Sequence, residues 1–149
     1  MAAPLPPPPS GQFRDGVHLF PVRVYYDDTD AGGVVYHSNY LRWFEHARTE
    51  VLRLLGIVQS ETADGMYAVA DLAIRYAAPA RLDDAVTIET RALELRAASV
   101  RMRQRALRDA DLLADATVRI GFLGPGGRPR RQPADWRARF DAFSIKDTQ

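Results

Sequence analysis

The residues of this chain best suited to chemistry lie in one run, Tyr25-Tyr26-Asp27-Asp28-Thr29-Asp30-Ala31-Gly32-Gly33-Val34-Val35-Tyr36-His37-Ser38-Asn39-Tyr40. Three carboxylates, a glycine pair and a histidine stand directly ahead of a stretch with helical periodicity. A carboxylate can act as nucleophile or general base. A helix start adds unpaired N–H groups and the positive end of the helix dipole, both of which favour a developing oxyanion. Gly32 and Gly33 allow torsions that turn amides toward a cleft. Together these are the parts of a site that attacks a polarised carbonyl. Asp30, a few residues before the helix, is the leading candidate. His37, at the helix entrance, is placed to donate to a carbonyl or to orient a water. The competing reading is that Asp27, Asp28 and Asp30 only solvate a turn and cap the helix.

Other chemistries fit less well. Asp28-Thr29-Asp30 begins like a calcium loop, but the fifth position is Gly32 and the twelfth is Asn39 where glutamate is required, so no metal is expected. The glycines are not followed by the Gly-Lys-Ser/Thr of a phosphate loop. Arg101, Arg103 and Arg105 share a strand face without interleaved aromatics. They read as a solvated sheet surface meeting Glu89, not as a nucleic-acid site.

The elements that must carry the run can be read from periodicity. Phe20, Val22 and Val24 alternate with polar positions and give a strand over Leu19 to Tyr26. Ser38 or Asn39 can cap a helix ending near Leu55, where Gly56 stops it. Its apolar positions, Tyr40, Leu41, Phe44, Ala47, Val51, Leu54 and Leu55, recur at spacings of three and four. Four strand patterns follow, at Val69 to Tyr76, Val86 to Leu95, Ser99 to Leu107 and Leu112 to Phe122. In the last, Leu112, Ala114, Ala116, Val118, Ile120 and Phe122 share a face. Spacings between the four permit an antiparallel meander. Pro133 opens a short terminal helix through about Phe143. One long apolar helix laid on one antiparallel sheet is an α+β architecture.

The bulk numbers bound the rest. A chain of 149 residues is expected to form one domain with a real core. No cysteine is present, which removes disulfides, thiolate metal sites and cysteine nucleophiles, and fits a reducing, cytoplasmic compartment. A net charge of +1 gives no pull toward nucleic acid, and no apolar run reaches the roughly 18 residues of a membrane span. Lys146 is the only lysine; every other basic residue is arginine. Residues 1–16, with the Pro6-Pro7-Pro8-Pro9 tract, lack the features of a signal peptide and read as a disordered or polyproline-like tail. Residues 17–145 make up the single domain, with a basic tail or helix from about 128.

The run from Tyr25 to His37, followed by Tyr40-Leu41-Arg42-Trp43-Phe44-Glu45-His46-Ala47-Arg48, closely resembles the 4-hydroxybenzoyl-CoA thioesterase family. Within it the similarity is nearest to the acyl-CoA thioesterases associated with the bacterial Tol-Pal system. The similarity in element order covers most of Leu19 to Leu123 and leaves the head and tail outside. The resemblance implies a hotdog fold, an antiparallel sheet wrapped around a long central helix. It also implies homodimers or homotetramers with an acyl-thioester site at the dimer interface. It places the essential carboxylate at Asp30 and matches the family's tyrosine and histidine to Tyr26 and His37. The backbone amide at the helix entrance is then expected to polarise the thioester carbonyl. Gly32, Gly33 and Val34 are implied as substrate contacts. Arg96 and Ser99 keep the pattern of the turn that binds CoA phosphates, while Ala98 stands where some relatives carry a basic residue. The implied reaction converts acyl-CoA and water to carboxylic acid and CoA, with Asp30 as nucleophile or general base. No cofactor is implied beyond CoA as part of the substrate. The alternatives are a non-hydrolytic acyl-CoA or acyl-carrier binding module, and an envelope-system interaction protein that docks through the arginine-rich tail.

Overall fold

The computed structural model describes residues 2–143; the expected domain end at 145, and Lys146, lie outside the described residues. Its elements are β1 (Gln12–Arg14), β2 (Val17–Arg23), α1 (Asn39–Leu54), β3 (Met66–Tyr76), β4 (Ala85–Leu95), β5 (Ser99–Arg108), β6 (Asp111–Leu123) and α2 (Ala134–Arg139). The strands form one six-stranded antiparallel sheet in the order β1-β2-β4-β5-β6-β3. Among the described residues no helix is long and apolar enough to cross a membrane.

The alternation read from the sequence builds the face that receives the helix. Val86, Ile88, Thr90 and Ala92 of β4 are buried, as are Val100, Met102, Gln104 and Ala106 of β5. Tyr40, Trp43, Phe44 and Ala47 of α1 pack with Phe20, Val86, Ile88 and Ala106 in one apolar cluster. A second cluster joins Val51 and Leu52 to Met102, Val118, Phe122, Trp136, Phe140 and Phe143. Between them a buried polar chain fixes the helix on the sheet. Arg48 donates to Gln104 Oε1 (2.9 Å), and Gln104 Nε2 donates to the Phe44 carbonyl (3.0 Å) and Thr90 Oγ1 (3.0 Å). Each member gains a partner that water would otherwise supply, so the contact also sets the helix register.

Several expectations are corrected. The meander holds for β4-β5-β6, but β3 pairs with β6 and lies at the far edge. The reason is the segment 77–84, whose polar groups do not close a hairpin. Ala77 and Ala78 donate to the Leu113 carbonyl, Ala80 accepts from Val35, and Asp84 accepts from Val24. The chain thus crosses one end of the sheet before β4 begins. The sheet also starts inside the stretch assigned to the tail: β1 pairs with β2 across Asp15-Gly16, both at positive φ. An Asp-Gly pair between strands is a strong hairpin signal. In β6 a register shift near Ala106/Leu107 buries Leu113 and leaves Leu112 half-buried. Neither expected helix cap forms: Ser38 makes no side-chain cap bond, and Asn39 donates to the Asp28 carbonyl at 2.7 Å.

Candidate active site

The loop between β2 and α1 is organised by the acid the sequence reading did not favour. Asp28, 4% exposed, accepts from the Tyr25 backbone N–H (2.8 Å) and from Arg42 of α1 (2.6 Å). Its carbonyl accepts from Tyr36 N–H (2.9 Å) and from Asn39. One residue therefore ties both ends of the loop to the first turns of the helix. The structural role weighed for all three acids belongs to Asp28.

Asp30 is exposed at the tip of a small turn. Its N–H donates to Val34 O (2.9 Å), Gly33 N–H donates to Asp30 O (3.0 Å), and Thr29 bridges Val35 at the base. Gly32 N–H donates to Asp30 Oδ1 at 2.8 Å, which points the carboxylate without burying it. A Cβ on Gly32 would lie 3.1 Å from that oxygen, so a side chain there would crowd the carboxylate. Gly33 has φ +77°, a torsion L side chains rarely adopt.

His37 lies two residues before the first residue of the helix. Its ring packs on Tyr36 at 4.5 Å and meets Tyr76 edge-on at 6.1 Å, while its carbonyl accepts from Tyr76 Oη (2.9 Å). Among the described residues its backbone N–H has no acceptor. Beside it opens a cleft of about 310 Å³ lined by Val35, His37, Tyr40, Tyr76, Ala77, Ala78 and Pro79. Burial pushes the phenols of Tyr40 and Tyr76 up, so both stay protonated and Tyr76 remains a donor. The far wall is braced by Arg108, which donates to Pro79 O (3.1 Å) and to Asp84 (2.9 Å). The Arg81 N–H and Arg108 hold the Asp84 carboxyl below the usual carboxylate range.

The structure brings Asp30, Gly32, Gly33, Val34 and His37 onto one loop at one end of the sheet. Asp30 itself does not line the cleft. Tyr26 is not gathered in: its side chain is 81% exposed and makes no hydrogen bond to Asp30 or His37. Arg96 and Ser99 stand at the opposite end of β4. That strand of 11 residues spans roughly 33 Å at 3.3 Å per residue. Tyr40, Tyr76 and the 77–79 segment were missed as cleft residues. The one available signal was Pro79, which marks the crossover that forms the wall.

Residues 24–143 match the family model described as the thioesterase-like superfamily. The chain belongs to the thioesterase-like superfamily. The match runs through the tail, which the resemblance had left outside. "Acyl-CoA thioesterase YbgC" of Haemophilus influenzae is 44% identical over 130 residues, covering 85% of this chain and 96% of that protein. "Acyl-CoA thioester hydrolase YbgC" of Escherichia coli is 41% identical over 125 residues, covering 81% and 93%. The solved structure of a probable thioesterase from Bartonella henselae superposes with a TM-score of 0.75 at 38% identity, covering 78% of this chain and 99% of that one. A 4-hydroxybenzoyl-CoA thioesterase mutant complexed with 4-hydroxybenzoyl-CoA shares the fold at a TM-score of 0.76 and 23% identity, covering 83% and 98%. This thioesterase-like protein therefore has the hotdog-like fold of those enzymes.

Proposed function

We propose that this protein hydrolyses acyl-CoA thioesters at the loop that carries Asp30. The observation that carries the reading is the pairing of an exposed, pointed carboxylate with an unpaired backbone N–H at a helix entrance, His37, beside an apolar cleft. The acyl group enters the cleft with its thioester oxygen on the His37 amide, where the helix N-terminus favours the developing charge. On one route Asp30 attacks the carbonyl carbon, CoA leaves as thiolate, and water opens the mixed anhydride. On the other, Asp30 takes a proton from water as the water attacks. Both end in a carboxylic acid and CoA, and no cofactor takes part. The names of the YbgC relatives support the substrate class.

The assembly is a homodimer, alone or as half of a tetramer, built on β3. We take α1 as the central helix around which the sheet is wrapped, which leaves the 11-residue β3 as a long edge with Met66, Val69 and Tyr76 exposed. Such an edge is a template for pairing with a second copy. Antiparallel β3–β3 pairing lays the Tyr76 end of one protomer beside the Tyr67 end of its partner. The Arg96 turn of the partner then approaches the His37 cleft, so one CoA thioester need not span both ends of one chain's sheet and can bridge two chains. Val34 and the loop glycines contact the thioester, and Arg96 and Ser99 hold the nucleotide phosphates.

The test is thiol release from short, medium, long and aromatic acyl-CoAs, read with a thiol reagent that finds no cysteine in the protein. Turnover lost in Asp30→Asn supports the reading. Saturable binding without thiol release would replace it with a binding module, and release only from acyl-carrier protein would change the carrier.

A further inference from the structure

The C-terminal segment carries a buried glutamine whose N–H donors all converge on the Arg96 turn. Gln132 is 4% exposed. Its backbone N–H donates to the Ala97 carbonyl (2.8 Å), and its Nε2 donates to the carbonyls of Arg96 (2.7 Å) and Ser99 (3.3 Å). Its Oε1 accepts from the Tyr67 hydroxyl of β3. The last carbonyl of the turn, that of Ala98, accepts from Phe122 N–H (2.8 Å), and Arg96 N–H closes the turn onto Ser99 O (2.9 Å).

All four carbonyls of residues 96–99 are thus tied down, three of them by one residue. The direction of the Gln132 amide is dictated by chemistry: two backbone carbonyls can only accept, so they require its NH₂ end. The Tyr67 phenol must then donate to the oxygen end. Burial pushes that phenol well above its ordinary range, which keeps the donor protonated. With the backbone fixed from behind, the Arg96 side chain projects outward, 71% exposed and, among the described residues, paired only with Glu94 at 2.6 Å. Ordering such a turn before the ligand arrives removes an entropic cost from binding.

We propose that Gln132, held by Tyr67, is a positioning residue that presents the Arg96–Ser99 turn to the anionic nucleotide end of the thioester substrate. The inference rests on the turn being the phosphate-holding site of the proposed thioesterase. It gives the basic tail a role in recognising the carrier half of the substrate, distinct from chemistry at Asp30. It also couples β3, the proposed dimer edge, to the turn through Tyr67.

The experiment compares Gln132→Leu, Tyr67→Phe and Arg96→Ala with the native protein on one acyl group carried by CoA and by pantetheine, which lacks the nucleotide. Trp136, Phe140 and Phe143 remain to anchor the segment on the core, and thermal unfolding checks that they do. The expected result is a KM for acyl-CoA raised about tenfold in Gln132→Leu and several-fold in Tyr67→Phe. Turnover at saturation should stay within twofold, and kinetics on acyl-pantetheine should not change. If both esters lose activity equally, Gln132 supports only the fold and the inference is overturned. If Arg96→Ala raises the acyl-CoA KM but Gln132→Leu does not, the inference falls and the nucleotide reading stands. If Arg96→Ala leaves that KM unchanged, both fall together.

Discussion

The two acids of Asp28-Thr29-Asp30 make opposite demands on the fold, so exchanging each should separate stability from activity. Asp28→Ala removes a buried acceptor from the Tyr25 N–H and from Arg42. A hydrogen bond to a charged group contributes about 1.5–3 kcal/mol. The Arg42 side chain is 51% exposed, so its share is at most about 1 kcal/mol. The expected loss is about 2–4 kcal/mol, which for a chain of this length lowers Tm by roughly 5–15 °C. Asp30→Asn keeps the oxygen that accepts from Gly32 and stays in solvent, so Tm should shift by no more than about 2 °C. Its turnover should nevertheless fall by a factor of about 10² or more, since even one lost oxyanion donor costs roughly 2.7–4 kcal/mol in the barrier. The assays are thermal unfolding by circular dichroism and thiol release on the same preparations. An Asp30→Asn protein that turns over within about threefold of native, or melts as early as Asp28→Ala, would refute the assignment.

Three further outcomes can be checked. Tyr76→Phe loses the bond to the His37 carbonyl, a contribution of about 0.5–1.5 kcal/mol; Tm should fall by no more than about 6 °C and kcat/KM roughly 3- to 10-fold, and an unaltered rate would remove Tyr76 from the site. His18 is fully buried, its Nε2 on the Ser10 carbonyl and its Nδ1 without a partner among the described residues, and burial lowers its pKa. The unfolded chain therefore takes up a proton below pH ~6.5 that the folded chain resists. Stability should be full above that pH and fall by up to about 1.4 kcal/mol per unit below it. His18→Gln should flatten the urea midpoint between pH 7 and 5.5, and an equal slope in the variant would exclude His18 as the cause. Val69→Glu, on the exposed edge of β3, should shift the proposed dimer or tetramer to monomer in sedimentation and lose acyl-CoA turnover while keeping its β-sheet signal. A native protein that is monomeric and fully active would exclude the shared site.

Whatever local physics controls was already readable in the order of residues. Period-two burial in β4 and β5, the period of α1 and its stop at Gly56 follow from which side chains avoid water. The chemistry of the loop was legible because its residue types, order and spacing are confined to one short run. The rest required the folded chain, because it depends on partners far apart in the sequence. Nothing local says that β3 pairs with β6 and not β4; the crossover at 77–84 sets that through bonds to Leu113, Val35 and Val24. Asp28 and Asp30 carry the same side chain two residues apart. They part roles because Arg42, one helical turn into α1, reaches the first, while a local bond from Gly32 aims the second. Gln132 sits in a stretch that reads as a basic tail, yet it holds a turn more than thirty residues away in sequence. Hydrogen bonds of such long sequence separation leave no periodic trace, and composition cannot reveal them.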